Sequence, residues 1–118
     1  MYRAVSRGDG WTWQGLKRTP ILGGPSQLIE LRNGRILCTY GFRHDPMGIR
    51  AVFSEDQGET WDTDRVVVIR DDGMDVDLGY PASIQLEDDR ILSTYYYHDE
   101  DFIRYIGGSI WSEEDALT

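Results

Sequence analysis

Side chains able to do chemistry gather in two kinds of place along this chain. One is the compact run Ser54-Glu-Asp-Gln-Gly-Glu-Thr-Trp61. Asp56 can accept hydrogen bonds from backbone N–H groups ahead of it, and Gly58 can take φ > 0. Thr60 favours extended backbone and Trp61 supplies an apolar anchor. Such a set closes and pins a tight hairpin, so its role reads as structural. The other kind of place is a scatter of residues in loops and in the strands beside them: Arg43, His44 and Arg50, the acidic run Asp71, Asp72, Asp75 and Asp77, then Tyr80 and Tyr95–His98. The acidic run offers oxygen ligands to Ca²⁺ but lacks EF-hand spacing, and reads as a solvated loop. His44 and His98 read as polar loop residues rather than metal ligands or bases. No metal or cofactor is expected. Tyr95, Tyr96 and Tyr97 could stack a sugar, though sheet packing is the commoner fate of such a run.

The elements that must position these residues repeat. Leu31-Arg-Asn-Gly-Arg-Ile-Leu-Cys-Thr-Tyr40 matches Leu86-Glu-Asp-Asp-Arg-Ile-Leu-Ser-Thr-Tyr95 at an offset of 55 residues. Ser6-Arg-Gly-Asp-Gly-Trp-Thr-Trp13 is a degenerate copy of the 54–61 run, 48 residues earlier, with Gly8 at the place of the aspartate. A third partial copy starts at Ser112. Periods of about 40–50 residues are those of four-stranded propeller blades. Strands are expected at 15–22, 26–31, 35–42, 49–53, 65–69, 80–86, 90–97 and 102–111, with no helix. Asn33-Gly34 is a strong hairpin signal between the second and third of them. The count is one orphan outer strand, then four, then three: two blades permuted by one strand. The divisions are 1–24 (orphan strand with the degenerate turn), 25–70 (first blade) and 71–118 (second blade lacking its outer strand).

At every fixed position, residues 54–61 match the Asp-box pattern Ser-x-Asp-x-Gly-x-Thr-Trp. Together with the repeat, this resembles the C-terminal two-blade portion of sialidases and other Asp-box β-propellers. The implied fold is all-β, two four-stranded antiparallel blades of a six-bladed ring. A lone pair of blades exposes apolar sheet faces and unpaired edges. The ring would therefore be closed either by a homotrimer or by the remainder of a longer propeller chain. In a meander the turns alternate between the two rims, so the Asp-box lies on the rim opposite Arg43, the acidic loop and Tyr80. Leu78-Gly-Tyr-Pro-Ala-Ser-Ile-Gln-Leu86 is similar to the last inner strand of sialidases, where a tyrosine ahead of small residues is the nucleophile; Tyr80 takes that role. The chemistry is an exception among glycosidases. A neutral phenol avoids the repulsion that an anionic nucleophile would meet beside the substrate's carboxylate, and it needs a glutamate base. The family holds that carboxylate with three arginines, because guanidinium forks pair with carboxylates in bidentate fashion. Arg43 or Arg50 could supply the third. The base, the acid/base aspartate and the other two arginines belong to blades outside these residues, and Pro81 stands where sialidases more often carry serine. The implied function is retaining hydrolysis of a terminal sialic acid or related acidic sugar. The alternative is a non-catalytic propeller module binding a glycan or protein, or an inactive fragment.

Composition narrows the partners. Twenty-one acidic against 12 basic residues give a net charge of −9, which argues against nucleic acid or an anionic membrane surface. A local arginine cluster still permits an anionic small substrate. Cys38 is the single cysteine, so no intrachain disulfide forms and the redox compartment stays open. No signal-peptide pattern, membrane-spanning run or glycosylation sequon is found, and localisation is left open.

Overall fold

The computed structural model describes residues 1–116, with side chains through residue 114. It is all-β apart from one short helical turn. Nine strands run in chain order: β1 (Tyr2–Val5), β2 (Gln14–Arg18), β3 (Ser26–Glu30), β4 (Ile36–Phe42), β5 (Gly48–Ser54), β6 (Val67–Arg70), β7 (Gly79–Gln85), β8 (Ile91–His98) and β9 (Arg104–Trp111). They form three antiparallel meanders, ordered β1-β2, β3-β4-β5-β6 and β7-β8-β9. The expected orphan strand is not an orphan. Tyr2 pairs with Arg18 and Arg3 with Lys17, so β1 and β2 make a hairpin around the degenerate Ser6–Trp13 turn. Among the described residues, nine strands therefore stand where eight were expected. At Ser112, where a third partial repeat was expected, α1 (Glu113–Ala116) follows, and the rest of that repeat lies outside the described residues.

The central sheet is apolar on both faces because it is covered on both. Leu37, Ala51, Phe53 and Val67 pack with Ile91 and Trp111 of the third sheet. Ile49 packs with Tyr95 and Tyr97 of that sheet and with Leu78 just before it. On the opposite face Cys38, Tyr40 and Val52 pack with Ile21, Met1 and Trp61. Period-two alternation sends Leu37 and Cys38 to different faces although both are fully buried. Burial pushes the Cys38 thiol up to about 11, so it is an inert core group. Polar groups at the sheet interface satisfy one another: the Thr39 and Ser83 hydroxyls lie 2.9 Å apart, those of Ser83 and Ser93 2.7 Å, and Trp111 Nε1 donates to Ser93 Oγ at 3.0 Å. At the start of β5, a Cβ on Gly48 would stand 1.7 Å from the Arg70 carbonyl oxygen, so only glycine allows β6 this close.

The two copies of the 55-residue repeat turn alike. The Leu31 amide donates to the Arg35 carbonyl at 2.8 Å and the Leu86 amide to the Arg90 carbonyl at 2.7 Å. Gly34 at φ 88° corresponds to Asp89 at φ 71°. No helix among the described residues is long and apolar enough to cross a membrane.

Candidate functional site

The two ends of β5 separate the two chemistries. Ser54, at its C-terminal end, opens the Asp-box, which forms a closed knot of hydrogen bonds. Ser54 Oγ accepts from the Gly58 amide at 2.8 Å and donates to Asp56 Oδ1 at 2.9 Å. Asp56 Oδ1 accepts from the Thr60 amide at 2.8 Å, and Oδ2 takes the Thr60 hydroxyl. The Thr60 hydroxyl above all holds the Asp56 carboxyl down at about 2. These partners of the carboxylate all come from within the turn, so the motif fixes its own backbone.

At the other end of β5 the loop 43–47 meets the acidic loop 71–78. The Gly73 amide donates to the Met47 carbonyl at 2.9 Å. Arg43 Nε and Nη2 donate to the Leu78 carbonyl at 3.3 and 3.1 Å. Leu78 is buried, and the chain then emerges at Tyr80, which is 66 % exposed. Tyr80 has φ +49°, an uncommon conformation for a bulky residue, at a bulge where β7 begins. Its ring lies 5.9 Å from that of Tyr96 at 37°, with the Arg43 guanidinium 5.9 Å from its centroid.

The sequence-derived residues separate on this geometry. Tyr80 and Arg43 come together, but two of the Arg43 donors serve a backbone carbonyl rather than standing free. Arg50 does not join them. It pairs across the sheet with Tyr40, on the face away from β7–β9, and its guanidinium lies 3.6 Å from the centre of the Phe42 ring. Period-two alternation decides this: Ile49 and Ala51 face the third sheet, so Arg50 between them cannot. His44 is exposed and tilted against Phe42 at 5.4 Å.

The acidic loop is solvent-exposed at Asp71 and Asp72 and part-exposed at Asp75 and Asp77, as expected from its composition, but three of its carboxylates are tied to side chains of neighbouring strands. Asp72 accepts from Arg70 Nε at 2.6 Å, and that guanidinium holds its carboxyl below the usual range. Asp75 accepts from His98 Nε2 at 2.8 Å. Asp77 accepts from the Tyr96 hydroxyl at 2.9 Å and also from Arg104. Burial first, then Asp77, pushes the Tyr96 phenol up. His98, read from sequence as a polar loop residue, is only 6 % exposed. Among the described residues no group of three or more His, Cys, Asp or Glu side chains converges as a metal site. These partners escaped the sequence reading because they come from the ends of β6, β8 and β9. The only signal was the coincidence of the acidic run with basic or hydroxyl residues at those ends.

A groove of about 720 Å³ lies at the Asp-box end, between the β3–β4 and β7–β8 turns. Among its charged side chains, Arg32 pairs with Asp89, Arg90 with Asp88 and Glu113 with Arg35. Tyr80, exposed and at positive φ, lies outside that groove.

No family model and no curated protein matches the chain. Among solved structures it is similar to a crystal structure of an unknown-function protein from Dyadobacter fermentans DSM 18053, with 34 % identity and a TM-score of 0.77. The similarity covers 92 % of this chain but only 30 % of that one. The chain thus spans less than a third of that protein's length.

Proposed function

We propose that this chain is part of an Asp-box β-propeller with sialidase-like glycoside hydrolase activity. In this reading β3–β6 is a whole blade, β1–β2 the outer half of the preceding one, and β7–β9 the first three strands of the next. The exposed apolar residues support it: Leu16 on β2 is 77 % exposed, and Ile84, Ile106 and Ile110 on the third sheet are 57, 76 and 55 % exposed. Neighbouring blades would cover such faces. A ring closed by copies needs four strands, or a multiple of four, from each chain. Nine strands favour the remainder of a longer chain over the trimer, in keeping with the 30 % coverage of the similar protein.

The observation that carries the catalytic reading is Tyr80: a bulky, exposed residue held at φ +49° beside a guanidinium. Strain of this kind costs on the order of 1–3 kcal/mol and collects at functional sites. The substrate is a terminal sialic acid or a related acidic sugar. Its phenol oxygen would attack the anomeric carbon of that sugar while a carboxylate base from another blade takes the phenolic proton. The aglycone leaves with a proton from an acid, and water then displaces the tyrosine, retaining configuration. Arg43 would face the substrate carboxylate with the nitrogen not engaged by Leu78.

A non-catalytic glycan-binding module is the second reading. It is favoured by the engagement of Arg43 with backbone and by the exposed Tyr80–Tyr96 ring pair. The test is turnover of a fluorogenic sialoside by the full protein that carries this chain. Tyr80→Phe should lower turnover by about two orders of magnitude or more, the scale of a lost nucleophile. Equal turnover by the variant overturns the nucleophile. Sialoside binding without turnover, weakened by Tyr80→Ala, selects the module.

A further inference from the structure

Both ring nitrogens of His98 face acceptors. Nε2 lies 2.8 Å from Asp75 Oδ1, and Nδ1 lies 2.7 Å from the Asp99 carbonyl oxygen. A neutral imidazole has one N–H and can satisfy one of them; only the imidazolium donates to both. The ring is buried and stacked on Phe102 at 5.1 Å and 21°, which keeps water from supplying a missing partner.

The groups around it come from three elements. The 71–78 loop contributes Asp75 and Asp77, the β8–β9 turn contributes the Asp99 carbonyl and Phe102, and β9 contributes Arg104, which is engaged by Asp77. Asp75 Oδ1 also accepts from the Asp77 amide at 2.8 Å, so the His98 contact continues directly into the loop backbone. Three residues further on is Tyr80.

We infer that His98 carries both ring protons in the folded protein near neutral pH and acts as a positioning residue, clamping the 71–78 loop and, through it, the strained entry to β7 that presents Tyr80. The clamp acts from the third sheet, while Arg43 holds Leu78 from the central one. The Asp99 carbonyl first, then Asp75, raises the imidazole above its ordinary value of 6.5. A raised value fixes the sign: the clamp is fully formed below the unfolded-state value and is lost as pH rises through the folded-state value. This concerns where Tyr80 is held, whether or not it reacts; its use in catalysis rests on the sialidase-like reading.

The test is NMR on the full protein that carries this chain, following the His98 ring and the amides of 75–80 as pH rises from 5 to 9. The ring should titrate above 6.5, and the loop amides should shift with the same midpoint. Asp75→Asn should bring that midpoint down. His98→Gln should abolish the shared transition and leave the amides at their high-pH positions. A ring midpoint at or below the ordinary value, or amides that ignore the ring's titration, overturns the clamp. Should His98→Gln fail to fold, the wild-type and Asp75→Asn titrations decide alone. None of these readouts uses turnover, so this inference and the sialidase-like reading fail separately.

Discussion

In the turn at Ser6–Trp13 the serine hydroxyl accepts from the Gly10 amide at 2.8 Å, and in the turn at Ser54–Trp61 it accepts from the Gly58 amide at 2.8 Å. Asp9 and Gly10 have φ of 56° and 86°; Gln57 and Gly58 have 61° and 84°. The backbones are the same, yet only the second turn has a carboxylate at its hub. The serine and the glycine are therefore enough to make the turn. What Asp56 adds is a grip on Thr60, and with it the exit of the chain toward Trp61. The two tryptophans differ accordingly. Trp61 packs against the Cys38–Val52 cluster, whereas Trp13 is 65 % exposed and donates to the Gly10 carbonyl within its own turn.

The widest separation between the two turns should come from removing their tryptophans. Full burial of a tryptophan makes its replacement by alanine cost about 3–5 kcal/mol, and Trp61 is half-buried, so Trp61→Ala should cost roughly 2 kcal/mol. Trp13→Ala should stay within about 0.5 kcal/mol, as surface substitutions do. Urea unfolding of both variants measures the contrast. Equal losses would mean that the exposed indole is as much a part of the core as the packed one.

Rebuilding the missing hub should have a smaller effect. A Cβ on Gly8 would stand 2.8 Å from Thr12 Oγ1, and the backbone there lies outside the left-handed region. Gly8→Asp thus brings a carboxylate to the hydroxyl that corresponds to Thr60, after a small rotation of the threonine. Replacing glycine at a compatible position also restricts the unfolded chain, so a gain of about 0.5–1 kcal/mol is expected. A lower urea midpoint for Gly8→Asp would show that Thr12 cannot move and that the first turn is built for glycine.

The same comparison explains what could be read in the sequence. The Asp-box and the 55-residue repeat were legible because turns are specified locally: Asn33 and Asp88 each accept the amide two residues on, whatever surrounds them. Most strands between such turns followed. β1 was not legible, since Tyr2–Val5 is four residues with no turn signal before it, and its partner is known only through pairing. The site was less legible still. Tyr80 was singled out by a family resemblance and Arg43 by its loop; the structure brings these two side by side, whereas a one-residue question of strand parity puts Arg50 on the other face of the sheet. The ties of Asp72, Asp75 and Asp77 depend on strand ends that only the tertiary fold brings together. Local hydrogen-bond chemistry is written in order along the chain; a clamp assembled from three elements is not.

Acid should sharpen the contrast with the smallest and most local effect. The folded-state value of Asp56 is about 2 against an ordinary 3.8, a depressed carboxyl. Its contribution to stability is therefore present above 3.8 and lost as pH falls from there through about 2. Protonation removes the acceptor that holds the Thr60 amide and hydroxyl, while the serine–glycine bond common to both turns has no group to titrate. NMR should show the Thr60 amide moving with a midpoint near 2 and the Gly58 amide holding its bond to Ser54. Asp56→Asn should erase the Thr60 transition. A Thr60 midpoint at the ordinary carboxylate value would mean that the hub bonds are not formed in solution, and that the two turns differ in sequence but not in strength.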